Sequence, residues 1–180
     1  MNRAVFLDRD GVLNKCFVVD GVPKPPKNIN DVEIIAGVKE AVELLLKRSF
    51  VIVVVTNQPD VSRGTVDQEA VETINKFLGQ ELGIEHFFTC YHDDFHGCDC
   101  RKPKPALLLR AAQDLNIDLS KSFMVGDRWR DIEAGQSAGC RCFFIDYKYK
   151  EKSPVFPFVK VASLIEATHL IMENQDDAFS

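Results

Sequence analysis

The sequence predicts an α/β protein, a Rossmann-like parallel sheet with helices on both faces. Short apolar runs at residues 4–7, 50–55, 123–125 and 142–145 alternate with amphipathic stretches of helical period. The runs are apolar throughout, as strands buried on both faces are. Several of them end abruptly in polar or acidic residues, the pattern of an open sheet whose ligand lies beyond the carboxyl ends of its strands.

Taken in order, Ala4 to Leu7 reads as a first buried strand, followed by a long irregular flap over residues 15–31 broken by Gly21, Pro23, Pro25 and Pro26. Val38, Ala41, Val42 and Leu45 mark one face of a helix over residues 38–48. Phe50 to Val55 is the clearest strand, ending at Thr56-Asn57-Gln58-Pro59. Thr65 and Gln68 have capping-box spacing, which predicts a helix over residues 66–82. His86 to Thr89 reads as a short strand leading into a loop of cysteines and histidines. Pro103 or Pro105 opens a third helix ending near Leu115, and Phe123 to Val125 forms the next strand. A helix over 131–138 stops at Gly139, a strand covers 142–145, residues 146–158 are loop, and a last helix covers 162–172. The tail, 174–180, is expected to fray.

Composition bounds the function. The 180 residues suit one domain, and hydrophobic and charged fractions of 46% and 27% are those of a soluble protein. A net charge of -5 argues against a nucleic-acid partner. No apolar run is long enough for a membrane span, and Asp8, Arg9 and Asp10 interrupt the only early one, so no secretory leader is expected. The resulting expectation is a cytoplasmic monomer with no nucleic-acid or membrane partner.

The chemistry concentrates where strands end. Asp8 and Asp10 leave the first strand with side chains on one face, and Gly11 lets the chain turn after them. Thr56 and Asn57, Arg101 and Lys102, and Asp127 with Asp131 follow other strand ends, and a parallel sheet gathers these ends on one edge. Carboxylates can hold Mg²⁺ there while Thr56 and Lys102 bind phosphoryl oxygens, which are the requirements of phosphoryl transfer. Singly, each has an ordinary alternative: a turn, a surface charge, a helix cap. Cys90, His92, Cys98 and Cys100 supply three thiolates and an imidazole within eleven residues, enough for a closed tetrahedral Zn²⁺ site in a reducing compartment. His96 competes with His92 as a ligand. Cys16, Cys140 and Cys142 read as free thiols.

In Phe6-Leu7-Asp8-Arg9-Asp10-Gly11, Val53-Val54-Val55-Thr56-Asn57-Gln58, Arg101-Lys102-Pro103 and Met124-Val125-Gly126-Asp127 with Asp131, the sequence resembles the haloacid dehalogenase (HAD) superfamily of phosphohydrolases. The resemblance implies that Asp8 attacks phosphorus to form an aspartyl-phosphate, while Asp10 protonates the leaving oxygen and later activates water. It implies Mg²⁺ held by Asp8, the Asp10 backbone carbonyl and Asp127, with Asp131 supporting. The cysteine loop narrows the resemblance to the heptose 1,7-bisphosphate phosphatase and histidinol-phosphate phosphatase families, which lack a large cap domain. It implies as substrate a small phosphorylated metabolite, foremost D-glycero-D-manno-heptose 1,7-bisphosphate losing its 7-phosphate, with histidinol phosphate the alternative. Substrate choice would then fall to the flap, to Asn57 and Gln58, and to Arg101 and Arg128. The sequence departs from the pattern at the Lys15 to Val19 flap, at Pro59-Asp60 where Ser-Gly is usual, and at Ala106 where glycine is common. A competing reading is a zinc-stabilised binding module without catalysis, against which stands the presence of every catalytic acid.

Overall fold

The computed structural model describes the backbone over residues 1–176 and side chains over 1–173. In chain order the strands and helices are β1 (Ala4–Leu7), β2 (Phe17–Val19), β3 (Val22–Lys24), α1 (Val38–Lys47), β4 (Val51–Asn57), α2 (Gln68–Leu82), β5 (His86–Cys90), α3 (Ala106–Asp114), β6 (Phe123–Gly126), α4 (Trp129–Ala138), β7 (Arg141–Ile145), β8 (Val159–Val161) and α5 (Leu164–Asp176). Six strands form one sheet in the order β5-β4-β1-β6-β7-β8, parallel throughout. β1 lies at the point where the order reverses, with β4 on one side and β6 on the other. In such sheets the binding crevice opens at that point.

Alternation along the strands sorts side chains into two cores. Val5, Leu7, Val54 and Val125 face α1, α2 and α5, while Ala4, Phe6, Val55 and Met124 face α3 and α4. Helices therefore cover both faces, as expected. Asn57 ends β4, two residues beyond the predicted boundary, and Gln58 still donates its backbone N–H to Cys90 O at 2.7 Å.

Three expectations need correction, and one strand went unpredicted. Thr65 does not cap α2: its hydroxyl donates to Asp60 O at 3.2 Å, the N-cap is Asp67, and the helix starts at Gln68. The flap is not wholly irregular, because Phe17–Val19 and Val22–Lys24 pair as an antiparallel hairpin turned by Asp20 and Gly21. The loop over 146–158 is followed, at residues 159–161 that no expected element covered, by a further strand, β8, paired with β7. Helix α5 continues through Asp176, so part of the expected frayed tail is helical, and residues 177–180 lie outside the described residues. Among the described residues no helix is long and apolar enough to cross a membrane.

Candidate active site

The predicted strand-end groups do converge. Lys102 Nζ sits 2.8 Å from Asp8 Oδ1, 2.6 Å from Asp131 Oδ1 and 2.6 Å from the Val55 carbonyl oxygen. Residue 102 is 94 positions from residue 8, so only the return of the chain from β5 brings the ammonium over β1. Asp8, Asp127 and Asp131 each place a carboxylate oxygen within 4.8 Å of the others. All four side chains are buried.

Gly11 makes this convergence possible. Its φ is +89°, and a Cβ there would stand 1.9 Å from Asp127 Oδ2. Gly126 plays the same part for Asp131, whose Cβ would lie 2.1 Å from an added methyl carbon.

Three buried carboxylates against one ammonium leave the cluster over-negative. Burial raises the Asp8 pKa to about 7, the Asp131 and Asp10 carboxylates adding to the rise and Lys102 opposing it. Burial, Asp8 and Asp131 raise Asp127 well above the ordinary carboxylate range. Burial works against the charged form of Lys102, yet Asp131 and Asp8 outweigh it and hold its pKa up. Neither Asp127 oxygen has a hydrogen-bond partner of normal geometry among the described residues, although the nearby Tyr149 hydroxyl works to lower its pKa. Buried polar atoms of this kind are rare without a ligand to satisfy them.

Asp10 stands apart from this cluster. Its carboxylate accepts from Arg9 Nε and Nη2 at 3.1 and 3.0 Å, Asn14 Nδ2 at 3.0 Å and Gln58 Nε2 at 2.6 Å. Gln58 Nε2 also donates to Thr56 Oγ1 at 2.9 Å. Asn57 exchanges two hydrogen bonds with the Lys102 backbone, at 3.0 and 3.1 Å. The side chains of Asn57 and Gln58, expected at the substrate, are thus engaged in holding Lys102, Asp10 and Thr56.

A cleft of about 260 Å³ opens above Asp8 and Asp10. Arg63, Arg101, Arg128 and Arg130 line its walls, and Val22, Pro23 and Lys24 of the hairpin form a rim. Every one of these arginines already holds a carboxylate. Arg101 Nε donates to Asp94 at 2.8 Å, Arg130 bonds both Asp94 oxygens at 3.2 Å, Arg63 spans Asp60 and Asp93, and Arg128 grips Glu151. Phe17, Val18 and Val19 do not line this cleft and are half exposed.

The cysteine loop gathers as predicted. Cys100 Sγ lies 3.1 Å from Cys90 Sγ, 3.5 Å from Cys98 Sγ and 3.3 Å from His92 Nδ1, while Cys90 Sγ is 3.7 Å from both Cys98 Sγ and His92 Nδ1. Ligands around a tetrahedral zinc are about 3.5–3.8 Å apart, given bonds of about 2.0–2.3 Å. These thiols are unbridged. His96 is not in the cluster: its Nδ1 accepts from the Asp93 backbone N–H at 3.2 Å. The same loop carries Asp93 and Asp94, which tie it to the arginines.

Sequence reasoning gave no role to Arg9, Asn14, Asn75, Arg63, Arg130, Asp93 or Asp94. One signal was available: Asn75 is a polar residue beside Ile74 on the face where Val71, Leu78 and Leu82 of α2 are buried.

The arrangement can hold a divalent cation beside a nucleophilic carboxylate, with a cation for phosphoryl oxygens and a second acid close by. The chain matches the haloacid dehalogenase-like hydrolase family over residues 26–139. It is 38% identical over 150 residues to the D-glycero-beta-D-manno-heptose-1,7-bisphosphate 7-phosphatase of Vibrio cholerae, covering 76% of each chain. The enzyme of that name from Haemophilus influenzae is 34% identical over 149 residues, covering 77% of this chain and 78% of its own. Among solved structures, D,D-heptose 1,7-bisphosphate phosphatase from B. bronchiseptica, in complex with magnesium and phosphate, superposes with a TM-score of 0.82 at 26% identity, over 96% of this chain and 99% of that one. The fold, the converging acids and these likenesses agree, and the chain belongs to the haloacid dehalogenase-like hydrolases, in the family of the heptose-bisphosphate phosphatases.

Proposed function

We propose that this is a Mg²⁺-dependent phosphomonoesterase, one catalytic domain with a zinc loop at residues 90–100, that removes the 7-phosphate of D-glycero-D-manno-heptose 1,7-bisphosphate. The observation that carries the reading is the buried group of Asp8, Asp127, Asp131 and Lys102. These residues fit a divalent cation, since they are over-negative and both Asp127 oxygens lack a partner. When bound, Mg²⁺ would draw charge from the phosphoryl oxygens. The names of the relatives support the heptose bisphosphate as substrate.

The chain's own residues account for the rest. Asp8 attacks phosphorus, forming an O–P bond as the bond to the sugar oxygen breaks, and Asp10 hands that oxygen its proton. Water then attacks the aspartyl-phosphate, Asp10 takes a proton from it, and the Asp8 O–P bond breaks to release phosphate. Lys102 balances phosphoryl charge from its place beside Asp8. Cys90, His92, Cys98 and Cys100 suit zinc by donor type and spacing, and a closed shell gives that metal a structural part. Arg101 and Arg128 are the proposed contacts to the rest of the substrate, as Arg101 Nη2 and Arg128 Nη1 have no partner among the described residues.

Steady-state kinetics with Mg²⁺ test the reading. The expected order of kcat/KM is heptose 1,7-bisphosphate above histidinol phosphate and above an aryl phosphate, with Asp8→Asn at background. A higher value for histidinol phosphate would displace the heptose substrate, and turnover by folded Asp8→Asn would remove the mechanism.

A further inference from the structure

We infer that Arg9, Asn75 and Thr89 form a buried relay whose task is to aim the Asp10 carboxylate. The inference rests on the reading of Asp10 as the acid and base. Among the described residues Arg9 is the largest fully buried side chain, at 0% exposure. A buried guanidinium is costly unless paired and fully hydrogen-bonded. In the bend that follows β1, the Arg9 fork closes onto the adjacent Asp10, Nε to Oδ1 and Nη2 to Oδ2.

The third nitrogen shows what holds the fork there. Arg9 Nη1 donates to Asn75 Oδ1 at 3.0 Å, and Asn75 Nδ2 donates to Thr89 Oγ1 at 3.2 Å. Asn75 occupies the buried stripe of α2, where an apolar side chain would cost less, and its amide is spent on Arg9 and Thr89 alone. Thr89 lies on β5 in register with Thr56 of β4. Three nitrogens of a rigid plane thus meet three acceptors, and rotating the Asp10 carboxylate would break two of those bonds together. The relay runs to the edge of the sheet away from Asp127 and Asp131, so it aims the acid independently of the metal-binding carboxylates.

A positioning role of this kind predicts dependence on the leaving group. kcat/KM reports the first irreversible step, in which a sugar oxygen needs the Asp10 proton and a para-nitrophenolate does not. Asn75→Leu should lower kcat/KM about tenfold for a sugar phosphate, part of the 10²–10⁴ that general acid catalysis supplies, and less than about twofold for para-nitrophenyl phosphate. Thr89→Val, which leaves the Arg9 acceptor in place, should give the same split at smaller size and stands in if Asn75→Leu does not fold. In an Asp10→Asn background, Asn75→Leu should cost nothing further on the sugar phosphate. Equal losses on both substrates, or an undiminished loss in that background, would overturn the relay. If Asp10→Asn itself shows no split, the proposed mechanism falls and the relay with it. A split in Asp10→Asn that neither Asn75→Leu nor Thr89→Val shares removes the relay alone.

Discussion

At Gly11 the backbone conformation and the approach of Asp127 forbid a side chain for separate reasons. Gly11→Ala must strain the turn and push the Asp127 carboxylate away, and displacements near 1 Å at reacting groups cost on the order of 100-fold. We expect kcat/KM to fall at least about that far while circular dichroism shows a folded protein. Asp8 supports a pH prediction. Its folded pKa is about 7 against 3.8 for a free side chain, raised by burial first and then by Asp131. The folded state therefore favours the protonated acid, and the stability this gives is present below about pH 4 and lost as pH rises through about 7. Mg²⁺ competes with that proton, so the rise in melting temperature on adding Mg²⁺ should grow over the same interval. A pH-independent increment would contradict the metal assignment to Asp8. Asp8, Lys102 and Asp127 were legible through their joint occurrence after successive strands, because each alone reads equally as a turn, a surface charge or a helix cap. Arg9, Asn57 and Gln58 were not legible in the same way. Spacing gives a side chain's face but not which polar neighbour it will meet after the strand ends.

The elements differ in how plainly they were written. β1, β4 and β6 are unbroken apolar runs and were placed to within two residues, since burial on both faces leaves no polar positions. The β2–β3 hairpin escaped notice because Phe17, Val18 and Val19 are all exposed and Pro23 stands in the second strand, so no alternation marks a buried face. β8 has three residues at a sheet edge, too few to show a period. The Thr65 capping box matched a pattern without its geometry, as Asp60 took the hydroxyl first. Two experiments belong at this scale. Replacing the hairpin by a short turn removes Val22, Pro23 and Lys24 from the cleft rim. KM for the sugar bisphosphate should rise while kcat for an aryl phosphate stays near its original value, and a collapse of both would assign the hairpin to the catalytic group instead. Cys98→Ser should reduce zinc from one per chain toward none by elemental analysis. Because Asp94 on that loop holds Arg101 and Arg130, kcat should drop about tenfold or more as well. Full activity without zinc would separate the loop from catalysis.

Across the whole molecule, the sheet order carries the function. β1 at the reversal point sets its acids between Thr56 of β4 and Asp127 beyond β6, and the chain returns from β5 to lay Lys102 across them. The parallel sheet was predictable from alternating elements, and with it the gathering of strand ends, though not the strand order that makes β1 central. The pairing of the cleft arginines has a consequence for how substrate arrives. Arg63, Arg101, Arg128 and Arg130 stand against Asp60, Asp93, Asp94 and Glu151, so the mouth presents nearly equal numbers of each sign. A balanced mouth casts little long-range field, and a phosphorylated sugar gains no guidance until it is within reach of the side chains themselves. Encounter should then proceed at an unsteered diffusive pace, nearly indifferent to added salt. Measured from low to physiological ionic strength, kcat/KM for the anionic substrate should be almost flat, whereas Asp94→Asn, by leaving Arg101 and Arg130 without their counter-charge, should turn the same enzyme into one that salt slows.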